Sequence, residues 1–146
     1  MACGGVFLLE KAEAQTKDTT RKHHLEDIEQ ALYFARNIHG TFPPYSEATW
    51  CGRLDSEQAK VSRVHQEIEE ALRQQNEKYA NPAKPFPTDP SAGAGYFYWK
   101  RSPAQFELYA ILEADKTGER KTTLCSTHTP AEKYDYGISS IWREYR

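Results

Sequence analysis

The stretch from Ala12 to Asn37 changes character halfway along its length. Residues 11–24 are almost wholly polar, although their residue types are compatible with a helix. Beyond them, apolar side chains recur three and four residues apart, which places them on one helix face: Leu25, Ile28, Leu32 and Ala35, widened by Phe34 and Ile38. Such a helix packs on the body of a domain with its second half and projects from it with its first. Gly40 predicts a left-handed cap that ends the helix.

A second helix is predicted from Ser56 to Tyr79. Asp55 is a suitable N-cap, with Gln58 three residues later in a capping-box arrangement. The spacing predicts a buried stripe made of Val61, Val64, Ile68, Leu72 and Tyr79. The charged residues between them predict a solvated face made of Glu67, Glu69, Glu70, Arg73 and Lys78.

The carboxy-terminal half is typical of β structure. After a proline-rich loop at residues 81–94, two strands are predicted, Tyr96–Lys100 and Gln105–Glu113, joined by a turn at Arg101–Ala104. Tyr134–Ile138 is a candidate edge strand. The element order predicts an α+β fold in which the long amino-terminal helix and the second helix pack on a small antiparallel sheet. We expect residues 1–11 to be a tail or a foreign remnant and residues 12–146 to form the globular domain.

Composition and motifs restrict the possible functions. The formal net charge is −2 and the pI about 6.2, whereas a nucleic-acid partner needs a basic surface. No apolar run in the sequence approaches the roughly 20 residues of a membrane-spanning helix. We find no phosphate loop, dinucleotide fingerprint or metalloprotease motif, and therefore predict neither an enzyme nor a cofactor. His23 and His24 diverge by about 100° on a helix, so we expect a solvated face and not a metal site.

The three cysteines lie far apart in sequence, at Cys3, Cys51 and Cys125. An odd number allows one disulfide and one remaining thiol. A bridge between Cys51 and Cys125 would close a loop of about 75 residues and add on the order of 4 kcal/mol in the chain-entropy model. Two buried free thiols are the other interpretation, and the residues alone leave both open.

Several segments resemble a known family. Leu25, Ile28, Ala31 and Leu32, followed by a Gly-x-Phe-Pro run at residues 40–43, are similar to the segment that follows the membrane helix in bacterial type IV pilins and type II secretion pseudopilins. Asp18, Arg21 and Lys22 supply the polar lead-in. Further along, residues 86–90 resemble the family's Pro-x-Asp-Pro loop, residues 95–110 its two central strands, and residues 134–138 a later family segment.

This resemblance implies a structural subunit of an extracellular or periplasmic filament, exported across the inner membrane. Its partners would be further copies of itself, other pilins, and secretion or pilus assembly proteins. Membrane contact would come only through an apolar amino-terminal helix that this sequence does not contain. The candidate subunit-interface residues are Lys17, Arg21, His24, Leu25 and Ile28. Export also favours an oxidised Cys51–Cys125 pair.

Two further expectations follow from the resemblance. The segment at residues 116–121 is too basic to match the calcium loop of the major pseudopilins, so we predict no calcium. The alternative function is an extracellular binding module on a pilin-like fold, such as a minor pilin or adhesive tip. It would recognise a surface or a glycan through exposed aromatic side chains such as Trp50, Trp99 or Trp142.

Overall fold

The chain is an α+β protein with a long amino-terminal helix and a four-stranded antiparallel sheet. The computed structural model describes residues 3–91, 95–114, 125 and 136–140, and for residues 3–7 the backbone alone. Its elements are α1 (Cys3–His39), β1 (Trp50–Arg53), α2 (Glu57–Val61), α3 (Val64–Lys78), β2 (Phe97–Ser102), β3 (Gln105–Ala110) and β4 (Tyr136–Ser139). The predicted fold class is confirmed at this level.

Helix α1 is 37 residues long and begins at Cys3, not at Ala12 as expected. Residues 3–11 therefore continue the helix and do not form a separate irregular tail. The helix ends as predicted, because Gly40 has a φ of 78° and its N–H donates to the carbonyl of Arg36 at 2.7 Å. Ile38, placed on the apolar stripe from sequence, is 56% exposed. Within the described residues, no helix is both long enough and apolar enough to span a bilayer.

The second predicted helix is divided into α2 and α3. Arg63 adopts a left-handed φ of 69° between them, which interrupts the helix and rotates α2 away from the predicted stripe. Val61 is consequently 83% exposed, and Tyr79, at the end of α3, is 60% exposed, so both predictions of burial were wrong. The N-cap is Ser56, whose hydroxyl accepts from the Ala59 N–H at 3.1 Å, and not Asp55.

The sheet has the strand order β1-β2-β3-β4, and every neighbouring pair is antiparallel. β2, β3 and β4 correspond to the predicted strands, with β4 at one edge. The other edge strand, β1, is not among the predicted strands; it has four residues, one of them Gly52. Its register places Cys51 opposite Trp99 and Trp50 opposite Lys100.

One face of the sheet packs on the helices and forms the main core. Tyr98, Phe106 and Leu108 meet Leu25, Ile28 and Leu32 of α1, with Ile68 contributed by α3. α1 and α3 approach each other through small side chains: Ala31, Ala35 and Ala71. These close contacts fix the second half of α1 between the sheet and α3.

A buried lysine fixes the segment between α1 and β1 to the same core. Lys100 is 1% exposed, and its Nζ donates to the carbonyls of Pro44, at 2.8 Å, and Glu47. The Tyr98 hydroxyl donates to the Pro43 carbonyl at 2.6 Å. Burial lowers the pKa of Lys100, with Glu67 and Glu47 acting in the opposite direction. Glu67 was predicted on the solvated face, but it is half-buried and accepts from the Tyr45 N–H at 2.9 Å.

The opposite face of the sheet carries a second, smaller apolar cluster. It contains Phe97, Tyr109 and Cys125, with Cys51 and Trp99 packed against them. The Tyr109 ring lies so close to Gly137 of β4 that a Cβ at that position would be 2.5 Å from it. A glycine is therefore required there for β4 to pair with β3 beside the tyrosine.

Because Val61 is exposed and Leu32 is buried, truncation of the two side chains should change the free energy of unfolding by very different amounts. We expect Leu32→Ala to lower the free energy of unfolding by about 2–5 kcal/mol, because the side chain is fully buried and leaves a cavity. Val61→Ala should change it by no more than about 0.5 kcal/mol. Urea unfolding of the two variants measures both, and a large effect of Val61→Ala would contradict the interrupted helix.

Candidate functional site

Residues 8–13 of α1 are exposed to solvent. Leu8 and Leu9 are 67% and 63% exposed, and residues 10–13 are exposed as well. We call residues 3–17 the arm of α1, and the remainder of the chain the head. Thr16, Thr19 and Thr20, where the arm meets the head, donate their hydroxyls to the carbonyls four residues earlier at 3.0–3.1 Å. The arm thus carries two large apolar side chains that the described part of the chain leaves uncovered.

An ion cluster attaches α1 to the head directly after the arm. The Arg21 side chain is 1% exposed and forms a two-bond contact with Asp89, Nε to Oδ2 at 3.0 Å and Nη2 to Oδ1 at 3.1 Å. It also donates to Asp18 and Glu113, each at 2.7 Å, and to the Ser91 hydroxyl at 2.9 Å. Arg21 therefore joins α1 to the proline-rich loop and to the segment after β3.

The carboxylates of this cluster are held by backbone groups as well as by Arg21. Asp18 accepts from the N–H groups of Glu113 and Ala114, both at 2.8 Å. Asp89 accepts from the Ser91 N–H at 2.8 Å. Three carboxylates surround one guanidinium, and these N–H groups help to satisfy the excess negative charge. The arrangement holds the first half of α1 on the head.

The protonation behaviour of the cluster agrees with that role. Burial lowers the pKa of Arg21, but its hydrogen bonds to Asp89, Glu113 and Asp18 outweigh burial and raise the pKa above its usual range. Hydrogen bonds from Ser91 and Arg21 lower the pKa of Glu113. Because 38% of the Glu113 side chain is exposed, solvent screens its contribution to stability more than that of Asp89.

The structure places most of the predicted subunit-interface residues inside the head. Arg21, Leu25 and Ile28 have between 0% and 1% of their surface exposed, so they lie inside this chain and cannot contact a neighbour. Lys17 and His24 are half-buried. The helical spacing that identified these residues also describes the face by which a helix packs on its own domain, and this second role is the one observed.

His23 and His24 lie in different environments, as expected for adjacent residues on a helix. His24 Nδ1 lies 2.7 Å from the Tyr96 hydroxyl, and burial lowers the pKa of His24 while Asp27 opposes the change. His23 lies in solvent near Glu26, at 3.6 Å. In the described residues, no group of three or more His, Cys, Asp or Glu side chains could hold a metal ion.

Cys51 and Cys125 come together on the outer face of the sheet. Their Cα atoms are 6.4 Å apart, within the range of disulfides, and 74 residues separate them. Cys125 is 6% exposed. The pair joins β1 to the chain that follows β3, on the side of the sheet away from α1.

Trp50 and Trp99 lie on opposite sides of the sheet. Trp50 lies on the core side of β1, stacked on Tyr98 with ring centroids 6.0 Å apart. Trp99 lies on the opposite side, with the Arg101 guanidinium 4.7 Å from its ring centroid. Both are half-buried, and Trp142 is outside the described residues. Trp50 and Trp99 therefore cannot share one aromatic surface, because adjacent positions in a sheet alternate between faces.

Sequence reasoning missed the partners of Arg21. Asp18 lies three residues before Arg21, a spacing that predicts a helical ion pair, but it occurs in a stretch that we assigned to solvent. Asp89 was noted only within a family-like loop. Glu113 was placed at the end of a strand. The sequence separations of 68 and 92 residues carry no local signal.

Loss of the Arg21 charge should destabilise the protein strongly. We expect Arg21→Met to lower the free energy of unfolding by about 3–5 kcal/mol, because it leaves buried carboxylates without their cation. Arg73→Met is the matched control: Arg73 pairs with Glu70 and Glu77 in solvent, and its loss should leave the urea midpoint nearly unchanged. Equal effects of the two variants would contradict the structural role of the cluster.

A disulfide at Cys51 and Cys125 should be measurable in the oxidised protein. Reduction is expected to lower the free energy of unfolding by about 4 kcal/mol, because the reduced unfolded chain regains the freedom of a long loop. Non-reducing peptide mapping should recover the two cysteine peptides as one species. Cys3→Ser should preserve both results, and a thiol titration that finds all three cysteines free under oxidising conditions would refute the bridge.

Comparisons with known proteins leave the family open. No protein-family model matches the chain. No curated protein and no solved structure matches it either.

Proposed function

We propose that this chain is a structural subunit of a filament of the type IV pilus or type II secretion kind. The observation that carries the proposal is the division of α1 into an arm and a docked half. Leu8 and Leu9 project on the arm, while Leu25, Ile28 and Leu32 are fully buried between the sheet and α3. A filament subunit needs this division, because the arm must be free to pack with neighbours while the head stays folded.

The resemblance to pilins supports the proposal, because the residues that carry it occupy structurally important positions. The four apolar residues of the Leu-x-x-Ile-x-x-Ala-Leu pattern all lie on the buried face of α1. The loop that resembles a Pro-x-Asp-Pro segment supplies Asp89, which binds Arg21. The residues that carry the resemblance are thus the ones that hold the helix on the head.

Assembly would be driven by burial of the arm. Each exposed leucine that becomes buried against another subunit contributes about 1.5–3 kcal/mol, before the entropy lost on association. The polar residues of the arm would then lie at subunit contacts or at the filament surface. The head would remain a separate folded unit, because Arg21 and the apolar core hold it together without the arm.

The same proposal includes export to the cell surface or the periplasm. It is supported by the distance between Cys51 and Cys125, since stable disulfides occur mainly in oxidising compartments. Its partners would be other copies of the chain and the proteins that assemble or share the filament.

The proposal can be tested in a bacterium that assembles type IV pili. The chain is expressed behind an apolar amino-terminal helix taken from a host pilin, and sheared filaments are analysed for the head by immunoblot. We expect incorporation of the wild-type head. The double variant Leu8→Glu/Leu9→Glu should reduce incorporation by more than about tenfold, because burial of unpaired carboxylates costs several kcal/mol.

Val61→Glu is the matched control, because Val61 is also an exposed apolar residue but lies on α2 in the head. It should be incorporated as well as the wild type, and the thermal midpoint of all variants should be unchanged. Absence of the wild-type head from filaments, although the fusion protein is stable in the cell, would contradict the proposed function.

A further inference from the structure

A groove runs between α1 and α3 beneath the proline-rich loop. Its volume is about 530 Å³, within the range of small-molecule sites in proteins. Asp27 and Gln30 line it from α1, Gln75 and Asn76 from α3, and Phe86 from the loop. We call it the α1–α3 groove. It is distinct from the arm and from the Arg21 cluster.

Side-chain amides form part of the polar lining of the α1–α3 groove, together with His23 and His24. Gln30, Gln75, Asn76 and Asn81 all contribute to it. Gln75 and Asn76 are half-buried, and within the described part of the chain neither side chain forms a hydrogen bond. An amide presents a donor and an acceptor about 2.3 Å apart in one plane, and so pairs with ligands that offer both functions on adjacent atoms.

The charge of the lining favours a neutral ligand. Besides the imidazoles of His23 and His24, the ionisable residues that line the groove are Asp27 and Lys84, one of each sign. An anionic ligand such as a phosphate would need several cations, and a cationic ligand several carboxylates. The hydroxyls of Thr20 and Thr88 add hydrogen-bonding capacity to this lining, in which the single carboxylate and the single ammonium group balance.

The groove also has an apolar wall. Phe86 is half-buried and stacks on His65 with ring centroids 4.0 Å apart and an angle of 23°. Leu72, Pro85 and Pro87 lie beside it. The ring is held by these contacts, so it offers a rigid surface for the C–H groups of a ligand at little entropic cost.

We propose that the α1–α3 groove binds a neutral saccharide of one or two sugar units. Adjacent hydroxyls of a sugar ring each donate and accept, which matches the amides of Gln75 and Asn76 and the carboxylate of Asp27. The apolar face of the ring packs on Phe86 and the neighbouring prolines. The volume accommodates a disaccharide, and a lining without a cluster of cations disfavours acidic sugars.

This site is independent of filament assembly. It lies in the head and uses no residue of the arm, so a monomeric head and an assembled subunit would both present it. It also differs from the tryptophan surface predicted from sequence, since none of its lining residues is a tryptophan. Failure of assembly in the pilus assay would therefore leave the saccharide proposal untouched, and the reverse also holds.

The test is a ¹⁵N NMR titration of the full chain with neutral mono- and disaccharides built from glucose, galactose and N-acetylglucosamine. We expect at least one of them to shift the side-chain amide resonances of Gln75 and Asn76. Asn76→Ala and Asp27→Ala should each weaken that binding by about tenfold, as expected for the loss of hydrogen-bond partners in a ligand site. Glucuronic acid and sialic acid should bind more weakly than the neutral sugars.

Gln66→Ala is the matched control, because Gln66 is an exposed amide on α3 that does not line the α1–α3 groove. It should bind as the wild type does. Three outcomes would overturn the proposal: no shift of the Gln75 and Asn76 amides by any neutral sugar at tens of millimolar, equal loss of binding in Gln66→Ala, or preferential binding of the acidic sugars. Because the wild-type titration decides the first outcome, the test does not depend on whether a variant folds.

Discussion

The contacts of Arg21 join α1 to the proline-rich loop and to the segment after β3. Residues 11–24 of α1 contain almost no apolar side chain, so hydrophobic burial cannot fix this part of the helix to the head. Arg21 replaces that missing burial with charge-assisted hydrogen bonds to Asp89 and Glu113. A guanidinium can serve several acceptors at once in a fixed plane, which a lysine cannot do. The point at which α1 leaves the head is therefore set by Arg21 together with Asp18.

The two faces of the sheet carry separate stabilising clusters. On the helix side, Leu25, Ile28 and Leu32 fill the space above Tyr98 and Phe106. On the other side, Phe97 and Tyr109 surround the Cys51–Cys125 pair. Each cluster restrains a different part of the chain: the first fixes the helices, and the second fixes the edge strand β1 and the segment after β3. Both keep the head folded without help from the arm.

The sequence predicted the elements whose signal is local and missed those whose cause is distant. The period of Leu25, Ile28 and Leu32 identified the buried face of α1, and the glycine at position 40 identified its end. The interruption at Arg63 was missed because its left-handed backbone leaves no compositional trace, and the exposure of Val61 follows from it. β1 was missed because a four-residue edge strand depends on its partner and not on its own propensity. For the candidate site, Asp18 and Arg21 were recognised as a polar lead-in. The partners of Arg21, Asp89 and Glu113, could not be predicted because they lie 68 and 92 residues away in sequence.

The threonines at the junction of arm and head have a mechanical consequence. Thr16, Thr19 and Thr20 each add a hydroxyl to a carbonyl that already accepts a helical bond, and such sharing weakens the ladder and favours a bend. They stand immediately beside Asp18 and Arg21, where the helix becomes rigidly held. A sideways load on the head would therefore concentrate its curvature in this single turn, leaving the packed helix and the sheet unstrained. In a filament of such subunits, elastic bending would occur at the junctions between arms and heads, while the heads would keep their shape.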